Sequence, residues 1–588
     1  MRTGHPLILA VLLTSLALAG CTKEAEKPKP KPTPSPAATG ASTTGEGTTG
    51  GGSAASGTSD GTGTSGPAKP IAAIDMPSDR VFASVEFDPE FLDPNLVAES
   101  SGRRIASAMF EQLVIYEPGK SAPVPAQAES WTTEEDGKIY IFKLRKDARW
   151  SDGKAITSAD WMYSMERALN PKTGSRNAQT LWIIERAQAY NKGDLTDFSQ
   201  VGVSAPDAHT LKFTLSAPAP YFLDLLTYIA YTPTPKHVID QHGKKWTRPE
   251  HIVTNGPFKL SLWKNGDRLE VSKSDTYWDK SNVWLNKIIF YSTNNDQTAH
   301  DWYEKGKVHW TPGLVPMDLV KTLLEKGRKD YHIDPILCVY YYVFNVTRPP
   351  FDDARVRRAF NMAMDKGTLV RQVLGQGQKA ATHLVPPHFE KSRGYGRVRG
   401  DGFDPDKARA LLKEAGYGEG GKPLPEVNVI YNTNEGHRRI AEFFQRSIKA
   451  NLGVEVTINN MEWKSLLTTV HAGEFEVART SWCADFPDPE NFISVFHSEG
   501  ENNYSRYKNP EMDTLIDQLR KTGEQGERNK LAAKAETILN TDQPMMPFYF
   551  YTRGYMRKEF VRGLGSNIQD HHALKYIWFG APGSTKPQ

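Results

Sequence analysis

From about Ser78 onward, apolar and polar positions alternate in short runs broken by longer helical stripes. Over Ile139–Leu144 the period is two, with Tyr140, Phe142 and Leu144 on one face and Ile139 and Ile141 on the other, which predicts a strand. Thr157 stands where it caps a following helix whose Met162, Met165 and Leu169 fall on one stripe. A second helix opens at Asp404-Pro405, cap then first-turn proline, and runs through Ala408, Leu411, Leu412 and Ala415 to Gly416. Strand-like runs recur at Leu211–Leu215, Lys287–Tyr291, Tyr340–Asn345, Val427–Tyr431 and Val454–Ile458. Interleaved strands and helices over such a length predict an α/β class with more than one lobe. No repeat of 20–50 residues is visible, which excludes a solenoid.

The pattern fails at the N-terminus. Met1 to Gly20 reads as an export signal: Arg2 supplies charge, and Pro6 to Leu18 is an apolar run. As a helix that run rises roughly 20 Å, short of the ~30 Å hydrocarbon core. The exit Leu18-Ala19-Gly20-Cys21 resembles a bacterial lipobox, in which Cys21 is lipidated and becomes the mature N-terminus. Residues 22–70 contain no Val, Ile, Leu, Met, Phe, Trp, Tyr or Cys. Such a stretch buries too little apolar area to offset its ordering entropy. It reads as a tether, Lys/Pro-rich and stiff first, then Gly/Ser/Thr coil, with a root-mean-square reach of roughly 40 Å. Gly57 to Gly61 matches G-x-S-x-G, but Ser59 has neither the strand before nor the helix after that a nucleophile elbow needs.

Composition narrows the function. Lys plus Arg total 72 against 69 Asp plus Glu, a net charge of +3, which argues against a nucleic-acid partner. A mean hydropathy of −0.54 excludes a polytopic membrane protein. Aromatic residues reach 10%, with 13 Trp and 23 Tyr, enough for large cores or for adhesive clefts. Of three cysteines, Cys21 is assigned to lipid, leaving Cys338 and Cys483 as either a bridge or two buried thiols. A bridge closing so long a loop would contribute on the order of 5 kcal/mol. Neither CxxC nor HExxH occurs, so no metal and no cofactor is expected, and His571-His572 reads as a surface or packing feature and not as a ligand set.

Several blocks resemble one family in its own order, the bacterial extracellular solute-binding proteins that serve oligopeptide and dipeptide ABC importers. Leu92-Asp93-Pro94 precedes DGKIYIFKLRKDARWSDGKAITSADWMYS at 136–164, TNGPFKL at 254–260 and DTYWDK at 275–280. Then come CVYYYVFN at 338–345, PPFDDARVRRAFNMAMDK at 349–366, YNTNEGH at 431–437, SWCADFPDPENF at 481–492 and YKNPEMDTLI at 507–516. The likeness spans about residue 82 to about 580 and is greatest for the oligopeptide branch. It implies an α/β periplasmic-binding-protein fold of type II, two lobes around a hinged cleft plus an inserted third lobe. Lobe I would comprise 71–111 with 236–337 and 553–588, the inserted lobe II 112–235, and lobe III 338–552. It also implies that Cys338 and Cys483 are bridged.

A peptide zwitterion presents an amine, a row of backbone groups and a carboxylate, and a site indifferent to sequence must satisfy those three. By itself, an Asp before Phe-Pro-Asp-Pro reads as a turn or capping residue. The resemblance instead implies that Asp485 pairs with the peptide α-amine and that the backbone of Ser481 and Cys483 bonds the peptide as an added strand. Arg479, whose planar fork suits a carboxylate, would hold the C-terminus for certain peptide lengths, and His437 for another. Trp463 and His471 match cleft-lining positions. Two departures stand out: Leu374 replaces a lysine that helps hold the carboxylate in well-known members, and Ala98 falls where an acid is expected, with Glu99 adjacent.

The expected protein is a non-enzymatic, exported, lipid-anchored monomer that captures short peptides and passes them to ABC permease and ATPase subunits. Alternatives are a peptide sensor or cell-wall-peptide receptor of the same fold, and, from another class, a secreted peptidase.

Overall fold

The computed structural model describes residues 77–587 except 121 and 419. The export signal, Cys21, the tether with Ser59 and the first residues of the expected lobe I lie outside the described residues. No helix among the described residues is long and apolar enough to cross a membrane.

The Ile139–Leu144 strand forms as its alternation predicts. It is an inner member of a four-stranded antiparallel sheet with Ala128–Glu134, Thr210–Thr214 and Val203–Asp207. Tyr140, Phe142 and Leu144 point into the core. Thr157 precedes the Ser158–Leu169 helix, and its N–H donates to the Asp160 carboxylate at 2.8 Å, half of a capping box. Asp404 caps Pro405–Glu414 through the N–H of Lys407, and Gly416 follows at φ 84°.

The second sheet has eleven strands. In order these are Val456–Met461, Val427–Asn432, Val477–Cys483, Tyr331–Phe344, Met545–Arg557, Trp310–Pro312, Val81–Glu86, Lys287–Ser292, Arg268–Lys273 and Phe258–Lys264, with Lys379–Ala380 beside Met545–Arg557. Two expectations shift. The run from Val454 enters the sheet only at Val456, because the preceding helix ends at Gly453 (φ 72°) and the chain must still turn. The run at Tyr340–Asn345 is the second half of a strand that starts at Tyr331; Pro335, which lacks an N–H to donate, disguises its first half.

Tyr331–Phe344 and Met545–Arg557 run antiparallel through the middle of this sheet and belong to two sets of cores. Beyond Leu337 their side chains alternate between faces. Val339, Tyr341 and Val343 enter one apolar cluster, and Tyr340, Tyr342 and Phe344 the other. Before that point, Tyr331 and Ile333 join a separate cluster around Val85, Tyr303 and Met556. The change of core coincides with a slip in register: Pro335 faces Thr552, yet Val339 faces Phe550. A single large cluster combines residues of 82–290 with Trp310 and residues of 555–579.

On the face covered by the Gln525–Asp542 helix, Glu536 is fully buried. Its carboxyl accepts the N–H groups of Leu384 (3.0 Å) and Val385 (2.7 Å) and the Tyr395 hydroxyl (2.7 Å). Burial outweighs these bonds and lifts the carboxyl to about 7. A carboxyl raised in this way contributes stability below its unfolded value near 4.5, and that contribution is lost as pH rises through 7. Glu536→Gln copies the protonated form. Its melting temperature relative to the parent should therefore climb between pH 5 and pH 8, equivalent to on the order of 2 kcal/mol. An offset that does not change with pH would show that Glu536 is not the titrating group.

Candidate functional site

Alternation along Val477–Cys483 puts Arg479, Ser481 and Cys483 on one face and Thr480 and Trp482 on the other. The neighbouring strand sets Tyr342 opposite Arg479, Tyr340 opposite Ser481 and Cys338 opposite Cys483. The directly opposed cysteines form a disulfide, their sulfurs 2.06 Å apart, joining positions 145 residues apart in sequence.

Arg479 is only 8% exposed. Its guanidinium donates to the Asn432 carboxamide oxygen (3.2 Å), the Ser481 hydroxyl (3.4 Å) and the Tyr551 hydroxyl (3.0 Å). It also lies 4.8 Å from the centroid of the Tyr340 ring. Its Nε is buried without a hydrogen bond. Among the described residues, no carboxylate reaches ion-pair distance of this cation. Burying a charge is costly unless an opposite charge answers it, so the arrangement favours an incoming anion.

His437 lies in the first turn of Glu435–Leu452, its N–H donating to the Asn434 cap. Its Nδ1 is 3.3 Å from the Tyr340 hydroxyl. Burial, and then the charge of Arg479, hold the imidazole down to about 3, so it is neutral at physiological pH. Arg479, Ser481 and His437 thus meet around Tyr340. Reasoning from sequence missed Tyr340, Tyr551 and Asn432. Alternation within the runs around Tyr340 and Tyr551 assigns faces, but which strands become neighbours is decided by long-range pairing.

Asp485 follows directly on the strand, in a turn built by other residues. The buried Asn491 carboxamide oxygen accepts the Asp485 N–H (3.1 Å) and the Trp482 indole N–H (2.9 Å). Pro487 and Pro489 restrict the backbone. Between them, fully buried Asp488 accepts the Glu490 N–H and pairs with Arg528 at 2.7 Å. Phe486 stacks face to face on Tyr221, centroids 3.9 Å apart and planes 6° from parallel. The capping duty therefore falls to Asp488. Asp485 is exposed, with no cation in ion-pair contact among the described residues. Desolvation by the protein around it nevertheless raises its carboxyl above the ordinary carboxylate range, opposed by Asn491 and by the charge of Arg103.

Trp463 and His471 sit near opposite ends of the Trp463–Ala472 helix, roughly 12 Å apart along it. Trp463 is 46% exposed, outside the core. His471 is exposed and packs edge-on against Tyr504 at 4.9 Å. No described contact joins either residue to Arg479 or Asp485. Leu374, in the Leu369–Leu374 turn, packs against the cluster around Phe444. Glu99 turns to the backbone N–H groups of Glu90 (3.1 Å) and Ala98 (3.3 Å). His571 and His572 are bonded to Thr227 and Asp570 respectively, and His572 packs against Trp310.

Comparison with known proteins identifies the assembly. Residues 122–504 match the model of bacterial extracellular solute-binding proteins, family 5 (middle). The periplasmic oligopeptide-binding protein OppA of Escherichia coli is 35% identical over 483 residues, covering 80% of this chain and 87% of that protein. Among solved structures, the murein tripeptide-binding protein MppA in its unliganded open form superposes with a TM-score of 0.76 at 32% identity. The match covers 86% of this chain and 98% of MppA. Haemophilus influenzae OppA in complex with RPPGFSPFR gives 0.68 at 28% identity, over 86% of this chain and 100% of that one. The fold is that of the periplasmic binding proteins, and the proteins that share it here bind solutes and are not enzymes. This chain belongs to the bacterial extracellular solute-binding proteins of family 5.

Proposed function

We propose that this protein captures short oligopeptides by their two charged ends and their main chain. The observation that carries the reading is a pair of unanswered charges on one strand and the turn after it. Among the described residues, Arg479 is a buried cation with no carboxylate at ion-pair distance, and Asp485 is a partly desolvated carboxylate with no cation at ion-pair distance. At about 3.3 Å per residue, the six residues from one to the other span at most roughly 20 Å. Less the reach of the two side chains, that distance suits an extended guest of a few residues. In this reading Asp485 takes the α-amine and Arg479 the carboxylate. Ser481 and Cys483 offer backbone groups as to an added strand, while Trp463 and His471 line side-chain space. His437, neutral in the empty protein, would gain a proton's share as a carboxylate approaches Arg479.

The lobes would be 71–111 with 236–337 and 553–588, the insertion 112–235, and 338–552. Two of these boundaries, 337/338 and 552/553, fall at or beside the register slip in the paired long strands, a natural place for a hinge. Closure about it would enclose the peptide, driven by the difference in affinity between closed and open states. Cys21 would carry the lipid that tethers the body to a membrane, and a permease with its ATPase subunits would receive the cargo from a monomeric donor. A second reading, capture of cell-wall peptides, is favoured by the likeness to MppA.

Calorimetry with trialanine tests the reading. Asp485→Ala should weaken binding by about 2–5 kcal/mol, because an enclosed ammonium loses its partner. Unchanged affinity would remove Asp485 from the site. Arg479→Gln should cost about 1.5–3 kcal/mol for the free acid, and much less for a peptide amide of the same sequence. Equal losses for acid and amide would mean that Arg479 supports the strand and does not meet the carboxylate.

A further inference from the structure

The turn that carries Asp485 is held from two sides. On its own side, Asp488 pairs with the buried Arg528, and Asn491 gathers the Asp485 and Trp482 N–H groups. From the other side comes Tyr221, which stands just before the short Phe222–Leu225 helix, far earlier in the chain. Its ring lies flat on Phe486, centroids 3.9 Å apart, and the Arg528 guanidinium stands 5.4 Å from its centroid. Among the described residues, Phe486 is the only apolar side chain of 338–552 that joins the large cluster drawn from 82–310 and 555–579.

Other contacts join the same two segments nearby. Arg393 pairs at 2.5 Å with the buried Asp224, which also accepts the Tyr116 hydroxyl. At Gly523 the backbone passes so near Asp136 that a Cβ there would stand 2.4 Å from the Asp136 carbonyl oxygen. Between the segments lies a cavity of about 380 Å³, lined by Pro220, Leu223 and Asp224 on one side and by His388, Arg393 and Pro487 on the other. The segments therefore meet at separate points around open space, and the ring stack is the apolar one among them.

The stack has a consequence for the amine end of the site. Pro487 and Pro489 restrict the chain after Phe486, and Asn491 fixes the Asp485 N–H. The freedom that remains belongs to residues 485 and 486, and anchoring the Phe486 ring limits it. We propose that Tyr221 is a positioning residue: by clamping Phe486 it fixes the Asp485 carboxylate for an α-amine, a role that rests on the peptide reading above. Amine recognition then depends on a contact between the two segments, and a carboxylate oriented before binding loses less freedom when the guest arrives.

The variants Tyr221→Leu and Phe486→Leu keep apolar bulk but lose a ring face, and Tyr221→Phe keeps the stack. Each is first shown to unfold cooperatively. Calorimetry then measures Ala-Ala-Ala and Ala-Ala-Ala-amide, and displacement of Ala-Ala-Ala measures its N-acetylated form. Both leucine variants should bind the two amine-bearing peptides about two- to twelvefold more weakly than the parent, the ordinary contribution of an aromatic pair. The acetylated peptide should change by less than about twofold, because the group that Tyr221 positions no longer has a partner to meet. Tyr221→Phe should bind all three as the parent does. Equal weakening of all three peptides, or unchanged binding of the amine-bearing pair, overturns the proposal alone, because the parent still distinguishes a free amine from a blocked one. A parent protein that binds free and acetylated peptide equally, or binds neither, overturns the amine reading and this proposal with it.

Discussion

The guanidinium of Arg479 is enclosed by neutral oxygens and a tyrosine face, and that single uncompensated charge organises much of what surrounds it. Three strands converge to hold it: its own, the one carrying Tyr340 and the one carrying Tyr551. Asn432, from a fourth, completes the cage. A cation in such a position stabilises the empty protein poorly, since the neutral partners replace hydration only in part. It is, however, well prepared for an anion, because the groups that orient it are already fixed and little reorganisation remains to be done on binding. The nearby imidazole of His437 is held neutral by burial and by this same charge, so no second positive charge stands beside Arg479 at physiological pH.

The opposite end is built on another principle. The Asp485 turn is rigid because Asn491 gathers two N–H groups, two prolines restrict the chain, and Asp488 is sealed against Arg528. None of that rigidity uses the Asp485 carboxylate, which is left to solvent and to a guest. The disulfide between Cys338 and Cys483 ties the end of the strand to its neighbour just before the turn begins. On the proposed reading, a fixed carboxylate at one end and a fixed guanidinium at the other would let main-chain groups between them do the rest, so that a site could hold many peptides without reading each side chain.

Local chemistry made much of this legible in the sequence. Thr157 with Asp160 and Asp404 with Pro405 announce their helices, because caps act within one turn. The strand around Tyr140 shows its buried face by alternation alone. What depended on distant segments was not legible. The slip between Pro335 and Val339 arises from pairing with a strand more than 200 residues away, so the first half of Tyr331–Phe344 went unread. Asp485 had a competing reading as a cap, and only the fold reveals that Asp488 and Asn491 have taken that work. Tyr340 and Tyr551 matter through what they face, and facing is set by sheet order.

On the proposed reading the two ends of the guest, more than its side chains, hold it in place. Its most direct test is titration of the parent protein with one tripeptide in four forms: free, N-acetylated, C-amidated and blocked at both ends. Each block should weaken binding at least tenfold, and the doubly blocked peptide should not bind measurably. Affinity that is indifferent to both blocks would contradict it and point to a solute of another kind.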